Sequence, residues 1–322
     1  MKLEIPIPDD LKVELIELWD RALGPITDIS NRGLFGQELE ENRNILYLER
    51  RAGRVVGACL MTTSNAMPTI GTFGHVATDP GARRSGIATS LCRQAVDDFR
   101  SDGGEIVFLG TQYENGSARI YHRLGWRFLA GTHTMANVSN GDSPEEFLVD
   151  YFREQGTPSV RPGSASDRGP MLPLLMWPHD WRVLDSNIDG NVYSVRYETQ
   201  TTCNGIYRMY EGARAEGLGE WFVAQTDNGR IVGLATARLT GAGVCRLDGF
   251  AHKHHMSAWP LLVSAATAWA DDRGTHACEA VVCVEDEEKQ AAFESLGFTR
   301  SASNENFRMG DRLIAAVRMV MG

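Results

Sequence analysis

The sequence predicts an α+β protein built as two tandem three-layer α/β/α domains, each on a mixed, mostly antiparallel sheet. Three observations carry this. The chain has 322 residues, and at ~100–200 residues per domain that length suits two domains better than one. The first half reads as strands, two of them a hairpin, alternating with helices in the order β-α-(α)-β-β-β-α-β-α-β-β. It also repeats itself. Ile45-Leu46-Tyr47-Leu48-Glu49, a turn and Gly53-Arg54-Val55-Val56-Gly57-Ala58 have a counterpart in Trp221-Phe222-Val223-Ala224-Gln225, a turn and Gly229-Arg230-Ile231-Val232-Gly233-Leu234. Tyr121-His122-Arg123-Leu124-Gly125-Trp126 has one in Phe293-Glu294-Ser295-Leu296-Gly297-Phe298. The turn glycines Gly53 and Gly229 are 176 positions apart and Gly125 and Gly297 are 172 apart. Two landmarks in one order at nearly one spacing mark a duplicated domain. The expected division is residues 1–140, a linker with a helix at 141–158, and residues 159–322.

In the first half, Leu3 to Ile7 reads as a strand. A helix capped by Asp9 or Asp10 follows, with Leu11, Leu15, Leu18, Trp19 and Ala22 as its apolar stripe, and Gly24-Pro25 stops it. Ile45–Thr63 is a hairpin and Thr72–Thr78 a strand. Ser85–Arg100 is a helix with Ile87, Leu91, Ala95 and Phe99 on one face. Glu105–Thr111 is a buried strand, Asn115–Leu124 a short helix closed by Gly125, and Trp126–Val138 one or two last strands. In the linker, Ser143 caps a helix over 144–155.

Composition narrows the function. The formal net charge is −10, from 32 basic and 42 acidic residues, so no positive field draws nucleic acid or an anionic membrane. No apolar run reaches the ~18–20 residues of a membrane helix, and the first residues lack the apolar segment of a signal peptide. A cytoplasmic protein is expected. Its six cysteines, Cys59, Cys92, Cys203, Cys245, Cys278 and Cys283, include no CxxC pair and read as reduced, buried thiols. No metal is expected. His252, His254 and His255 lack a carboxylate or thiol to complete a ligand set and read as an exposed His-rich loop.

The chemistry concentrates at Thr78-Asp79-Pro80-Gly81-Ala82-Arg83-Arg84-Ser85-Gly86-Ile87-Ala88-Thr89. A strand ends, a loop turns, and a helix opens on small residues. The first N–H groups of a helix lack intrahelical acceptors, and the helix dipole is positive there. Gly86 lets a ligand approach the backbone, and two arginines add charge. This is an anion site suited to a diphosphate. It is neither a Walker loop nor a dinucleotide fingerprint, since no Gly-Lys-Ser/Thr follows and only one glycine fits.

The segment resembles the acyl-CoA signature of the GNAT superfamily of N-acyltransferases, roughly V-x-P-x-x-(R/Q)-x-x-G-x-(G/A), with Thr78 in the apolar position and Ala88 in the last. Asn115-Gly116-Ser117-Ala118-Arg119-Ile120-Tyr121-His122-Arg123-Leu124-Gly125-Trp126 is similar to its second signature, with one residue fewer between alanine and tyrosine. The resemblance covers about residues 1–138. It implies acyl transfer from acetyl-CoA to an amine in a ternary complex. Backbone from Arg84 through Ser85, Gly86 and Ile87 to Ala88, flanked by Arg83 and Thr89, would hold the pyrophosphate. Val76, Ala77 and Thr78 would pair with the pantetheine arm, and one N–H on that strand would stabilise the oxyanion. Asn115 and Ser117 would touch the cofactor. Tyr121 would protonate the departing thiolate, a phenol at ~10 lying near a thiol at ~8.5. His75, ordinarily near ~6.5, would take the amine's proton, with Glu49 and Asp79 as weaker candidates and His122 and His133 without a case. The acceptor would enter between Gly24 and Asn44, where Asp28, Asn31, Glu38, Glu40 and Glu41 could steer a cation.

The second half keeps the pattern without the signature. No glycine falls between Gly249 and Gly274, and Pro260 removes an N–H near the helix start. Phe293 replaces Tyr121, Glu287 replaces Asn115 and Lys289 replaces Ser117. A degenerate second domain and one active site per chain are expected. The acceptor is expected to be a small-molecule amine; a non-catalytic acyl-CoA-binding regulator and a protein lysine or N-terminal acetyltransferase are the alternatives. A homodimer is left open.

Overall fold

The computed structural model describes residues 1–24, 36–153, 156–188, 191–199, 203–241, 243–301 and 305–322. Contacts divide the chain into two units: Met1–Leu129 with His133–Phe147 and Ser164–Pro170, and Ala130–Thr132 with Leu148–Gly163 and Met171–Gly322.

The first unit runs β1 (Lys2–Glu4), α1 (Asp9–Leu23), β2 (Asn42–Arg51), β3 (Arg54–Ser64), β4 (Ile70–Thr78), α2 (Ile87–Ser101), β5 (Ile106–Gly110), α3 (Ala118–Arg123), β6 (Arg127–Phe128) and β7 (Thr134–Val138). Its seven strands lie in the order β1-β2-β3-β4-β5-β7-β6. Every neighbouring pair is antiparallel except β4 and β5. The hairpin between β2 and β3 turns on Ala52 and Gly53, both at positive φ, the two-residue turn whose twist matches paired strands. Alternate residues serve opposite faces. Leu46 and Leu48 meet Leu11, Leu15, Leu18 and Trp19 of α1, whereas Ile45 and Tyr47 meet Ile87, Leu91, Ala95 and Phe99 of α2. That is the expected three-layer domain.

Local details depart from expectation. Pro8, not Asp9 or Asp10, stands at the cap of α1, and both acids lie inside its first turn. The short helix α3 starts at Ala118, because the Asn115 side chain accepts from the Ser117 N–H (3.1 Å) and holds a turn there. Ser143 does cap α4 (Pro144–Tyr151): its hydroxyl accepts from the Glu146 N–H (3.2 Å) and the Glu146 carboxylate accepts from the Ser143 N–H (2.9 Å).

The second unit runs β8 (Ser159–Pro162), α5 (Leu172–Met176), β9 (Val183–Asp185), β10 (Val192–Tyr193), α6 (Cys203–Ala215), β11 (Gly219–Gln225), β12 (Ile231–Gly241), β13 (Val244–Ala251), α7 (Ala258–Asp271), β14 (Ala277–Cys283), α8 (Glu287–Ser295), β15 (Thr299–Ser301), β16 (Asn306–Met309) and β17 (Arg312–Met321). Its main sheet reads β8-β11-β12-β13-β14-β17-β15, with β16 added on β17. Position for position this is the order of the first sheet, and again only the fourth and fifth strands, β13 and β14, are parallel. Two glycines at matching positions of the repeated hairpin, Gly57 and Gly233, share a physical task. A Cβ on Gly57 would lie 2.3 Å from Ile87 Cγ2, and one on Gly233 would lie 2.7 Å from Leu262 Cδ1. Each lets the helix after the fourth strand press on the third.

The histidine segment is exposed only at Lys253 and His254. His252 and His255 are buried at 0% and 3% exposure. The His252 ring stacks on Phe152 at 3.9 Å, and its Nδ1 accepts from the His254 N–H (3.2 Å). Burial depresses both imidazoles, because the charged form cannot be solvated there. Among the described residues no group of three or more His, Cys, Asp or Glu could hold a metal ion, and no helix is long and apolar enough to cross a membrane. Cys59, Cys92, Cys245, Cys278 and Cys283 are free and buried.

Two stability measurements check this packing. Gly57→Ala should destabilise the first unit by ~1–3 kcal/mol, the usual cost of overpacking, in chemical denaturation of the full chain. His179 is buried, with Nε2 against the Leu174 carbonyl (2.8 Å), and burial pushes it down to about 4. Its folded form binds fewer protons than its unfolded form. The stability it carries is therefore complete above ~6.5 and drains away as pH falls towards 4. His179→Gln, which can still donate to Leu174, should flatten the loss of stability between pH 7.5 and 5.5; equal slopes would refute this.

Candidate active site

The site grows from the one parallel pair of the first sheet. β4 and β5 stay in register only from Ile70–Thr72 to Ile106–Phe108 and then part. On its other side β4 also slips. Ala77 faces Ala58 and Gly74 faces Leu60, so His75 and Val76 together stand opposite Cys59. This is a β-bulge, which turns the main chain out of the ladder. His75 adopts φ 54°, a left-handed conformation that costs a non-glycine residue energy. Trp19, fully buried, donates its indole N–H to the His75 carbonyl (2.7 Å), and the two rings meet edge to face at 5.2 Å.

Past the end of β4, Asp79 accepts from the Gly81 N–H (3.0 Å) and shapes the tight turn Pro80–Ala82. Arg84 and Gly86 then take positive φ, 61° and 81°. Gly86 is the cap of α2 and supplies no side chain, and the first helical bond runs from the Ser90 N–H to the Gly86 carbonyl (3.0 Å). The N–H groups of Ile87, Ala88 and Thr89 thus lead the helix without intrahelical acceptors. A Cβ on Gly86 would meet nothing within 4 Å; the space in front of the helix is open.

The parted strands, this helix start and α3 enclose a cavity of about 970 Å³. It is lined by His75, Val76, Ala77, Thr78, Arg83, Arg84, Gly86, Ile87, Ala88, Thr89, Asn115, Ser117 and Tyr121, all named from sequence. Ser85 is not among the lining residues; its hydroxyl donates to the Ala82 carbonyl (2.6 Å). Tyr121 is 6% exposed and leans on Trp126. Burial chiefly, and then the Cys92 thiol, push its phenol well above the ordinary 10, and a hydrogen bond with Ser117 opposes the shift.

Charge distinguishes this cavity from the rest of an acidic chain. Among the described residues lining it are Arg83, Arg84 and Arg123 and no carboxylate. The Thr78 and Thr111 hydroxyls at its wall are buried without a hydrogen-bond partner. Cationic side chains, open helix N–H groups and orphaned hydroxyls suit a long polyanionic ligand with a polar arm, and acyl-CoA fits that description.

Other expectations fare differently. Glu49 pairs with Arg51 (3.0 Å), Asp79 lies 3.6 Å from Arg21, and His122 and His133 sit edge-on to Phe128 and Tyr113. None of the four lines the cavity. Glu38 is buried and ion-paired with Arg168 (2.8 Å), and neither it nor Glu40 and Glu41 line the cavity. Asp28 and Asn31 lie outside the described residues. Sequence reasoning missed Trp19, Thr111 and Arg123. Trp19 shows only as one member of an apolar stripe; Arg123, two positions beyond Tyr121, carried the one local signal.

Comparison with known proteins gives a family match within the first unit. Residues 12–126 match the family model described as acetyltransferase (GNAT) family. No curated protein matches the sequence. Among solved structures, the chain is similar to spermidine N-acetyltransferase from Vibrio cholerae at 13% identity, over 51% of this chain and 93% of that one, with a TM-score of 0.40. It is similar to the GNAT domain of S. lividans PAT at 16% identity, over 52% and 90%, with a TM-score of 0.38. It is also similar to yncA from Salmonella typhimurium with its cofactor acetyl-CoA, at 16% identity, over 51% and 92%, with a TM-score of 0.39. The first unit therefore has the GNAT acetyltransferase fold, and the second repeats the topology of its sheet.

Proposed function

We propose that the protein is an acetyl-CoA-dependent N-acetyltransferase that acts on the primary amine of a small molecule by direct transfer, with one active site per chain. The observation that carries the reading is the single cavity in which Tyr121, His75, the bulged strand and the N-terminus of α2 meet.

When bound, acetyl-CoA supplies an acyl group activated as a thioester. The N–H groups around Gly86–Ala88, with Arg83 and Arg84, hold its diphosphate by dipole and charge. Val76 to Thr78, on the side of β4 that β5 has left, offer main-chain partners to the arm and an N–H to a developing oxyanion. Tyr121 keeps its proton at Oη across neutral pH, since burial raises its phenol. Its O–H is therefore present to hydrogen-bond a departing thiolate, although the upward shift makes full proton transfer harder. His75, half-buried at the cavity wall, accepts the proton that an attacking ammonium must lose. Trp19 holds the His75 carbonyl, and with it the bulge, in place.

A panel of amines incubated with acetyl-CoA, read by release of free thiol, tests the reading. Turnover with one class of small amine is expected. Acetyl-CoA binding without thiol release on any amine would mark a non-catalytic acyl-CoA binder, and acetylation confined to protein lysines or N-termini would mark a protein acetyltransferase. On the best acceptor, Tyr121→Phe should lower kcat on the order of 10²-fold, with the KM for acetyl-CoA nearly unchanged; full turnover would remove Tyr121 from the chemistry. His75→Ala should abolish the acidic limb of the pH–rate profile, and coincident profiles would remove His75 as the base.

A further inference from the structure

The second unit has the same parting of strands, and something fills it. β13 and β14 stay in register only from Val244–Arg246 to Ala277–Glu279. Where the first unit opens a cavity of about 970 Å³ beside its parted strands, β13, α8 and residues 177–181 leave a pocket of about 130 Å³.

The filling is the chain's own segment from Arg182 to Asn187. On the β13 side, the Asn187 side chain donates to the Arg246 carbonyl (2.7 Å), and the Ser186 N–H and hydroxyl donate to the Asp248 carboxylate (2.7 and 2.8 Å). On the β14 side, the Ser186 hydroxyl also reaches the Val281 carbonyl (3.0 Å). After β14, the Asp286 carboxylate accepts from the Arg182 and Val183 N–H groups (2.8 and 3.1 Å). From α8, Lys289 donates to the Val183 and Leu184 carbonyls (2.9 and 3.0 Å) and pairs with Asp248 (2.6 Å). Leu184, Asp185, Asp248 and Lys289 are all 0% exposed.

We infer that Arg182–Asn187 is a built-in occupant of the second cleft, standing where an acyl-CoA arm stands in the proposed reading of the first unit, on which this inference rests. The sequence departures of the second unit then have a purpose. Lys289, at the position of Ser117, spends its three N–H donors on this segment and on Asp248. Asp286 and Asp248 receive its N–H groups. Phe293, at the position of Tyr121, is fully buried and packs edge-on to Trp259 (5.0 Å), with no proton to give. Withdrawing the segment strips donors from two carboxylates and acceptors from a buried ammonium, and charges buried without partners are strongly disfavoured. The occupant is permanent, and the cleft is not a cofactor site held in reserve.

Amide hydrogen exchange on the full chain, with and without saturating CoA, tests this. In the free protein the Val183 and Ser186 amides should exchange at least ~100-fold more slowly than in an unfolded peptide, and CoA should leave them unchanged while slowing a peptide spanning Arg84–Thr89. Fast exchange at Val183 and Ser186 in the free protein, or a CoA-dependent change there, overturns the inference. If CoA alters neither segment, the acyl-CoA reading of the first unit fails, and the free-protein rates alone decide for or against the built-in occupant. Ser186→Ala, which removes one donor to Asp248, should speed exchange locally and leave CoA affinity as it was.

Discussion

Two parallel strands that keep register for three residue pairs and then separate are the constraint on which each unit depends. An antiparallel ladder can extend as far as its strands do. The parallel pair β4–β5 is followed instead by a bulge on one strand and a tight turn into a helix. Unpaired main chain inside a protein must find partners. The parted strands therefore need an occupant, and the two units answer that need differently. In the first, the walls stay open, cationic and rich in unused donors. In the second, the chain supplies the occupant and the charges that hold it.

In the proposed reading, this contrast is how an acidic protein holds a polyanion. Net charge sets the far field, but binding is decided within a few ångströms by helix N–H groups and the few arginines aimed at the ligand. The Arg84 and Gly86 conformations matter for the same reason. Both sit in the left-handed region, which bends the loop so that the start of α2 faces the cavity. Trp19 works from the opposite side of the sheet. It fixes the carbonyl of a strained residue that neither helix packing nor the strand ladder would hold alone.

Much of this was legible in the sequence. Hairpins, helices and the duplication follow from local pattern and spacing. The lining of the first cavity was legible too, because its residues cluster in two short motifs. What escaped depends on partners distant in the chain. The bulge at His75 arises from a slip against Cys59 on another strand. His252 and His255 looked polar and therefore exposed, yet the stack that buries His252 is made by Phe152, about a hundred positions earlier. Nothing in the local pattern of Arg182–Asn187 marks its place, because its partners are Arg246, Asp248, Val281, Asp286 and Lys289. Glu38 looked like a guide for an amine and is instead ion-paired with Arg168, 130 positions away. A loss of signature in the second half was visible; that Lys289 and Asp286 serve a new contact was not.

The central claim is that acyl-CoA is held at one helix start, in the first unit only. Calorimetric titration of CoA into the wild type and into Gly86→Val tests it most directly. A valine side chain would fill the open space through which a ligand approaches the backbone at residue 86, so affinity should fall at least about tenfold, ~1.4 kcal/mol. The account predicts one CoA per chain in both proteins and that weaker binding in the variant. Two CoA per chain, or equal affinity in the two proteins, would contradict it.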